Sequence, residues 1–85
     1  MNSTVSISSY DYGHDFNVSP NPNKGQFIIK TKTRDVFELI DVTGSVINVY
    51  KFFEAGEFIV SENLASGLYF IKSRKNGEVL KLVVE

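Results

Sequence analysis

With 85 residues the chain has room for one domain, and a domain this small buries only about 60 to 65% of the surface its unfolded form exposes. It has no cysteine, which excludes disulfide and zinc-thiolate staples, so packing alone must supply stability. An apolar share of 42%, with seven Phe and four Tyr, excludes a disordered tail, and a net charge of -1 argues against nucleic acid as the main partner.

Residues 1–14 hold Asn2, Ser3, Ser6, Ser8, Ser9 and Gly13 among few apolar groups, and read as a linker or upstream segment. Met1-Asn2-Ser3-Thr4 has neither the basic region nor the apolar core of a signal peptide. No apolar run approaches the ~18 to 20 residues of a membrane span, and no membrane insertion is expected.

From residue 15 onward seven short apolar runs follow one another, each bounded by turn residues. The first, Phe16 to Val18, is stopped by Pro20 and Pro22, which cannot donate ladder hydrogen bonds. Asn23 and Gly25 tolerate positive φ and let the chain reverse. The second, Gly25 to Thr33, alternates strictly: Phe27, Ile29 and Thr31 share one face, while Ile28, Lys30 and Lys32 share the other. Arg34-Asp35 is expected to turn the chain into Val36 to Val42, and Thr43-Gly44-Ser45 turns it again into Val46 to Phe53. In that fourth run Val46, Asn48, Tyr50 and Phe52 alternate with Ile47, Val49 and Lys51.

Ala55-Gly56 then breaks the pattern before a short fifth run, Phe58 to Val60, and a loop, Ser61 to Ser66. Gly67 to Ser73 is the sixth run, and Asn76-Gly77 is a strong hairpin signal that pairs it with the seventh, Glu78 to Val84. No helical period is sustained over three turns. Seven strands at spacings near ten residues predict an all-β fold, a seven-stranded antiparallel immunoglobulin-like β-sandwich over residues 15–85. Its expected core is Phe27, Ile29, Leu39, Tyr69, Ile71, Leu80, Leu82 and Val84. Tyr69, just inside a strand after a crossover loop, is placed to send its hydroxyl back to loop backbone as in a tyrosine corner.

Candidate chemistry is sparse. The one imidazole, His14, sits in the expected linker, so a Ser-His-Asp site would lack fixed geometry. The acidic residues read as solvated groups with no cleft between paired carboxylates, and no enzymatic activity is expected. Asp11-Tyr12-Gly13-His14-Asp15 supplies too few oxygen ligands for calcium, and the scattered glycines form no phosphate loop, so neither metal nor cofactor is expected. Two glycosylation-type sequons, at Asn2 and Asn17, stand without further support. Charge is uneven along the chain: Lys24, Lys30, Lys32 and Arg34 form a basic run, and Asp35, Glu38, Asp41, Glu54, Glu57 and Glu62 follow with only Lys51 between them. Solvated strand faces account for this pattern, and a binding surface that uses the polarity is the sharper alternative.

Four motifs in fixed order carry a resemblance: Pro20-Asn21-Pro22 with Gly25, Asp41-Val42-Thr43-Gly44, Leu64-Ala65-Ser66-Gly67-Leu68-Tyr69, and the final strand Lys81-Leu82-Val83-Val84 before Glu85. Together they resemble the C-terminal sorting domain (type A) of the type IX (Por) secretion system, over residues 16–85. Ile40 stands where that family usually places Tyr, which leaves the turn intact. The resemblance implies a secretion signal that directs its parent protein across the bacterial outer membrane. It implies as partners the type IX translocon with its shuttle proteins, and a surface sortase-like protease that removes the domain. It also implies transit through the periplasm, then a secreted or cell-surface destination. The residues alone leave a second class open: a generic immunoglobulin-like binding or spacer module, touching carbohydrate through Tyr50, Phe52 and Phe53.

Overall fold

Alternation of apolar and polar side chains gives each strand one face to bury, and two such sheets must cover each other. The computed structural model describes residues 15–85. The expected linker, with His14 and all but the last residue of the Asp11–Asp15 stretch, lies outside the described residues. The described chain is all-β, with strands β1 (Phe16–Ser19), β2 (Gln26–Thr31), β3 (Asp35–Asp41), β4 (Val46–Phe52), β5 (Gly56–Ser61), β6 (Gly67–Ser73) and β7 (Val79–Val84). They form a three-stranded sheet, β1-β2-β5, and a four-stranded sheet, β4-β3-β6-β7. Every strand pair in both sheets is antiparallel, giving the immunoglobulin-like sandwich.

The two inner faces meet in a core of Phe16, Phe27, Ile29, Phe37, Leu39, Val60, Tyr69, Ile71, Leu82 and Val84. Phe16 packs on Phe37 with ring centroids 4.7 Å apart, and Phe37 on Phe52 at 5.7 Å, a tilted arrangement that aromatic quadrupoles favour. Leu80, expected inside, is only partly buried and packs against that core. Phe16, Phe37 and Val60, each in a predicted strand but outside the expected core, join it. The predicted alternation in β2 holds, since Phe27, Ile29 and Thr31 are all buried.

Alternation fails once, in β4. The β3–β4 register shifts between Leu39 and Ile40, so Asn48 opposes Leu39 whereas Val46 opposes Ile40. A bulge inserts one unpaired residue and flips what precedes it. Val46 therefore leaves the inner face that Tyr50 and Phe52 occupy, and it is exposed. The turn expected at Arg34-Asp35 also ends one residue early. Asp35 begins β3 and is buried, its carboxylate accepting from the Val36 and Lys75 amides (2.6 and 3.1 Å) and from the Ser73 hydroxyl. Three donors satisfy a carboxylate that burial would otherwise penalise.

The crossover into β6 is fixed by Tyr69, whose hydroxyl donates to the Ala65 carbonyl at 2.7 Å, the corner read from the sequence. Among the described glycines, Gly25 alone sits where a close backbone approach leaves no room for a side chain. It has φ of 101°, and a Cβ there would overlap the Glu62 carbonyl oxygen. Gly25→Ala is expected to cost about 1 to 3 kcal/mol from strained φ, with added cost from separating residues 25 and 62. Urea denaturation checks this, and an unchanged midpoint would contradict the close approach.

Candidate functional site

Four motifs separated along the sequence end at one pole of the sandwich. β1 runs toward this pole and β2 away from it, so residues 20–25 bridge them there. β3 ends there at Asp41, which pairs with Tyr69 at the start of β6, and Gly67 pairs with Val84 at the end of β7. Gly25 meets the loop before Leu64 through the Glu62 amide, which donates to the Gly25 carbonyl at 2.8 Å. The structure therefore gathers Pro20, Asn21, Pro22, Gly25, Asp41, Gly44, Leu64, Gly67, Tyr69, Lys81, Leu82, Val83 and Val84 along one end and its flanking strand.

The closest joint within this cluster is between residues 20–23 and β7. β7 is an edge strand, and its outward amides and carbonyls would otherwise be open. Instead the Asn21 side chain acts as a short stretch of false backbone. Its Nδ2 donates to the Lys81 carbonyl at 2.6 Å, and its Oδ1 accepts from the Val83 amide at 2.8 Å. One residue pair on, the Asn23 amide donates to the Val83 carbonyl (2.9 Å) and the Glu85 amide to the Asn23 carbonyl (2.7 Å), forming a parallel bridge between Asn23 and Val84. The peptide bonds before Pro20 and Pro22 are both cis. Because proline has no amide hydrogen, the segment offers β7 only the amides at Asn21 and Asn23.

Asn23, read from the sequence only as a turn residue, is central to this joint. It is 5% exposed, yet both its side-chain ends are satisfied. Its Nδ2 donates to the Pro20 carbonyl at 3.1 Å, and its Oδ1 accepts from the Gly25 amide at 2.8 Å. The second bond is an Asx turn, and Asn two residues before Gly was the available signal.

At the β3–β4 turn, Asp41 Oδ1 accepts from the Thr43 amide (2.9 Å), the Thr43 hydroxyl (2.6 Å) and the Ser45 amide (3.1 Å). Gly44 closes the turn at φ of 89°, its amide donating to the Asp41 carbonyl at 3.0 Å. The Thr43 hydroxyl, and then the Ser45 and Thr43 amides, hold the carboxyl below its ordinary value. Lys81 and Val83 project from the outer face beside Phe70 and Leu68, while Leu82 and Val84 project into the core.

The aromatic trio proposed for carbohydrate does not form one platform. Tyr50 is half-buried and donates its hydroxyl to Glu62, which also accepts from Asn48 Nδ2 at 2.7 Å. Burial first, and then Glu62, push the Tyr50 phenol well above its ordinary range. Phe52 stacks on Phe58 with centroids 4.0 Å apart, and only Phe53 stands free, 82% exposed. The basic run is divided as well: Lys30 pairs with Glu57 at 3.8 Å across β2 and β5, whereas Arg34 lies at the opposite pole. Of the Asp11–Asp15 stretch only Asp15 is described, and its carboxylate accepts from Asn76 Nδ2 at 3.1 Å.

The family model of the secretion system C-terminal sorting domain matches residues 17–85, nearly all of the described chain. The chain belongs to that family, and the domain is a C-terminal sorting signal for type IX secretion. Such a signal implies engagement with the Por translocon system and export to the cell surface or beyond. Neither the curated proteins nor the solved structures contain a match.

Two outcomes follow from the geometry. Asn21→Ala removes both side-chain bonds to β7 and is expected to cost about 1 to 2 kcal/mol while sharply raising hydrogen exchange at the Val83 amide. Unaltered Val83 protection would show that the edge is not held by Asn21. The Asp41 carboxyl should titrate below 3.8 by NMR. Its folded pKa is depressed, so its stabilisation is present above the unfolded value and lost as pH falls through the folded one. In Asp41→Asn the Thr43 and Ser45 amide shifts should lose that titration.

Proposed function

We propose that the pole carrying the four motifs is the part of this sorting signal that the type IX machinery reads, with Pro20, Asn21, Pro22, Gly25, Asp41, Gly44, Leu64, Gly67, Tyr69, Lys81, Leu82, Val83 and Val84 as its determinants. The observation that carries this reading is the junction of residues 20–23 with β7. Two motifs 60 residues apart contribute to one hydrogen-bonded surface, with Asn21 bonded to Lys81 and Val83. A spacer module needs a closed edge but has no need for these motifs together.

On this reading the folded domain crosses the periplasm, is delivered by shuttle proteins to the outer-membrane translocon, and is cut from its cargo by a surface sortase-like protease. The cut falls upstream of the sandwich, within or before residues 1–14, because a protease needs ~8 to 10 extended residues that packed strands do not offer. The domain acts as signal and substrate and carries no catalytic role. Recognition by backbone addition along Lys81–Glu85 would first require residues 20–23 to be displaced, since they already occupy that edge. Reading the side chains of the assembled pole requires no such opening.

Residues 16–85, fused to the C-terminus of a neutral passenger that carries an inner-membrane signal peptide, should send it across the outer membrane of a host with a working type IX machine. Deleting Lys81 to Glu85 should trap the passenger in the periplasm. Lys81→Ala, an exposed change that leaves the core intact, separates recognition from folding. Wild-type surface delivery of the deletion would overturn the sorting role of this pole.

A further inference from the structure

The opposite pole carries a groove that the sorting motifs do not use. It lies about 20 Å from them, the length of a seven-residue strand. Its volume is about 490 Å³, within the range that holds a small ligand or a few side chains of a peptide. Four of the chain's nine basic residues line it, Arg34, Lys51, Arg74 and Lys75, brought from three different turns or strands. Val36 and the exposed Phe53 supply apolar wall between them.

The lining carboxylate does not cancel this charge outward. Asp35 is buried and spends its oxygens on the Val36 and Lys75 amides and the Ser73 hydroxyl. Glu38 pairs with Arg74 at 2.6 Å. Lys75 Nζ bonds only a neutral group in the described structure, the Thr33 hydroxyl at 2.6 Å. Arg34 and Lys51 have no carboxylate within ion-pair distance among the described residues. A chain of net charge -1 has therefore concentrated cations around one concave, partly apolar surface.

We propose that this groove binds an acidic peptide segment of a partner protein that carries an aromatic or branched apolar side chain. The apolar side chain lies against Phe53 and Val36, and flanking carboxylates meet Arg34, Lys51 and Lys75. Concavity favours a peptide over an anionic membrane: the cations surround a recess, whereas a flat lipid surface is met by protruding groups. The biological setting rests on the sorting-signal reading, but the binding is measured in vitro. Failure of a passenger to be exported and failure of the groove to bind are therefore separate results.

The test titrates the full ¹⁵N-labelled 85-residue chain with a blocked Asp/Glu peptide bearing one central Phe. Controls are the same peptide with Lys in place of its acids, and phosphatidylglycerol vesicles. Saturable amide shifts confined to residues 34–36, 51–53 and 74–75 are expected. Affinity should fall about tenfold or more in the Lys51→Glu/Lys75→Glu double variant, and several-fold in Phe53→Ser. All three positions are exposed, so unchanged thermal unfolding should accompany the losses. Non-saturating shifts spread over Lys24, Lys30 and Lys32, equal affinity in the double variant, or binding to vesicles without binding to the peptide would each overturn the proposal.

Discussion

The pairing of residues 20–23 with the outer edge of β7 is the constraint on which the rest depends. It is the only place among the described residues where backbone of the β1–β2 connection bonds to the other sheet's edge. Core packing holds two sheets face to face but does not by itself protect an edge strand at the end of a chain. Without the Asn21 and Asn23 bonds, the carbonyls of Lys81 and Val83 and the amides of Val83 and Glu85 would be left to water or to another strand. The bonded segment therefore stabilises the last strand and masks its edge against unwanted pairing.

Around that joint the two poles have different chemistry. The motif pole is built from turns whose geometry is locally satisfied: the Asx turn at Asn23, the Asp41–Ser45 turn, the Tyr69 corner and the close approach at Gly25. Such a surface has a fixed shape and carries little net charge. The other pole carries a groove lined by four basic residues, with the lining Asp35 buried and the nearby Glu38 paired to Arg74. A small domain without covalent staples can present two such surfaces because strands about 20 Å long hold them apart.

Much of this was legible in the sequence. Period-two alternation at Phe27, Ile29 and Thr31, turn residues at Gly44 and Asn76-Gly77, and the loop-Gly-x-Tyr entry to β6 depend on neighbours within a few residues. Local chemistry therefore determined seven strands, their hairpins, most of the core and the Tyr69 corner. The order of the four motifs was enough to indicate the family.

Only the tertiary structure decided what those motifs do to one another. Asn21 and Val83 are 62 residues apart, and no pattern in either segment states that they bond. The bulge that turns Val46 outward arises from a register between two strands, which neither strand's own alternation contains. The basic run Lys24 to Arg34 proved misleading for the same reason. Lys30 lies within β2 and meets Glu57 on β5, whereas Arg34 lies in the connection before β3 and joins Lys51, Arg74 and Lys75 at the far pole. Sequence proximity determines strands and turns, because those interactions are local. Charge clusters and edge protection are set by which turns the fold brings to the same end.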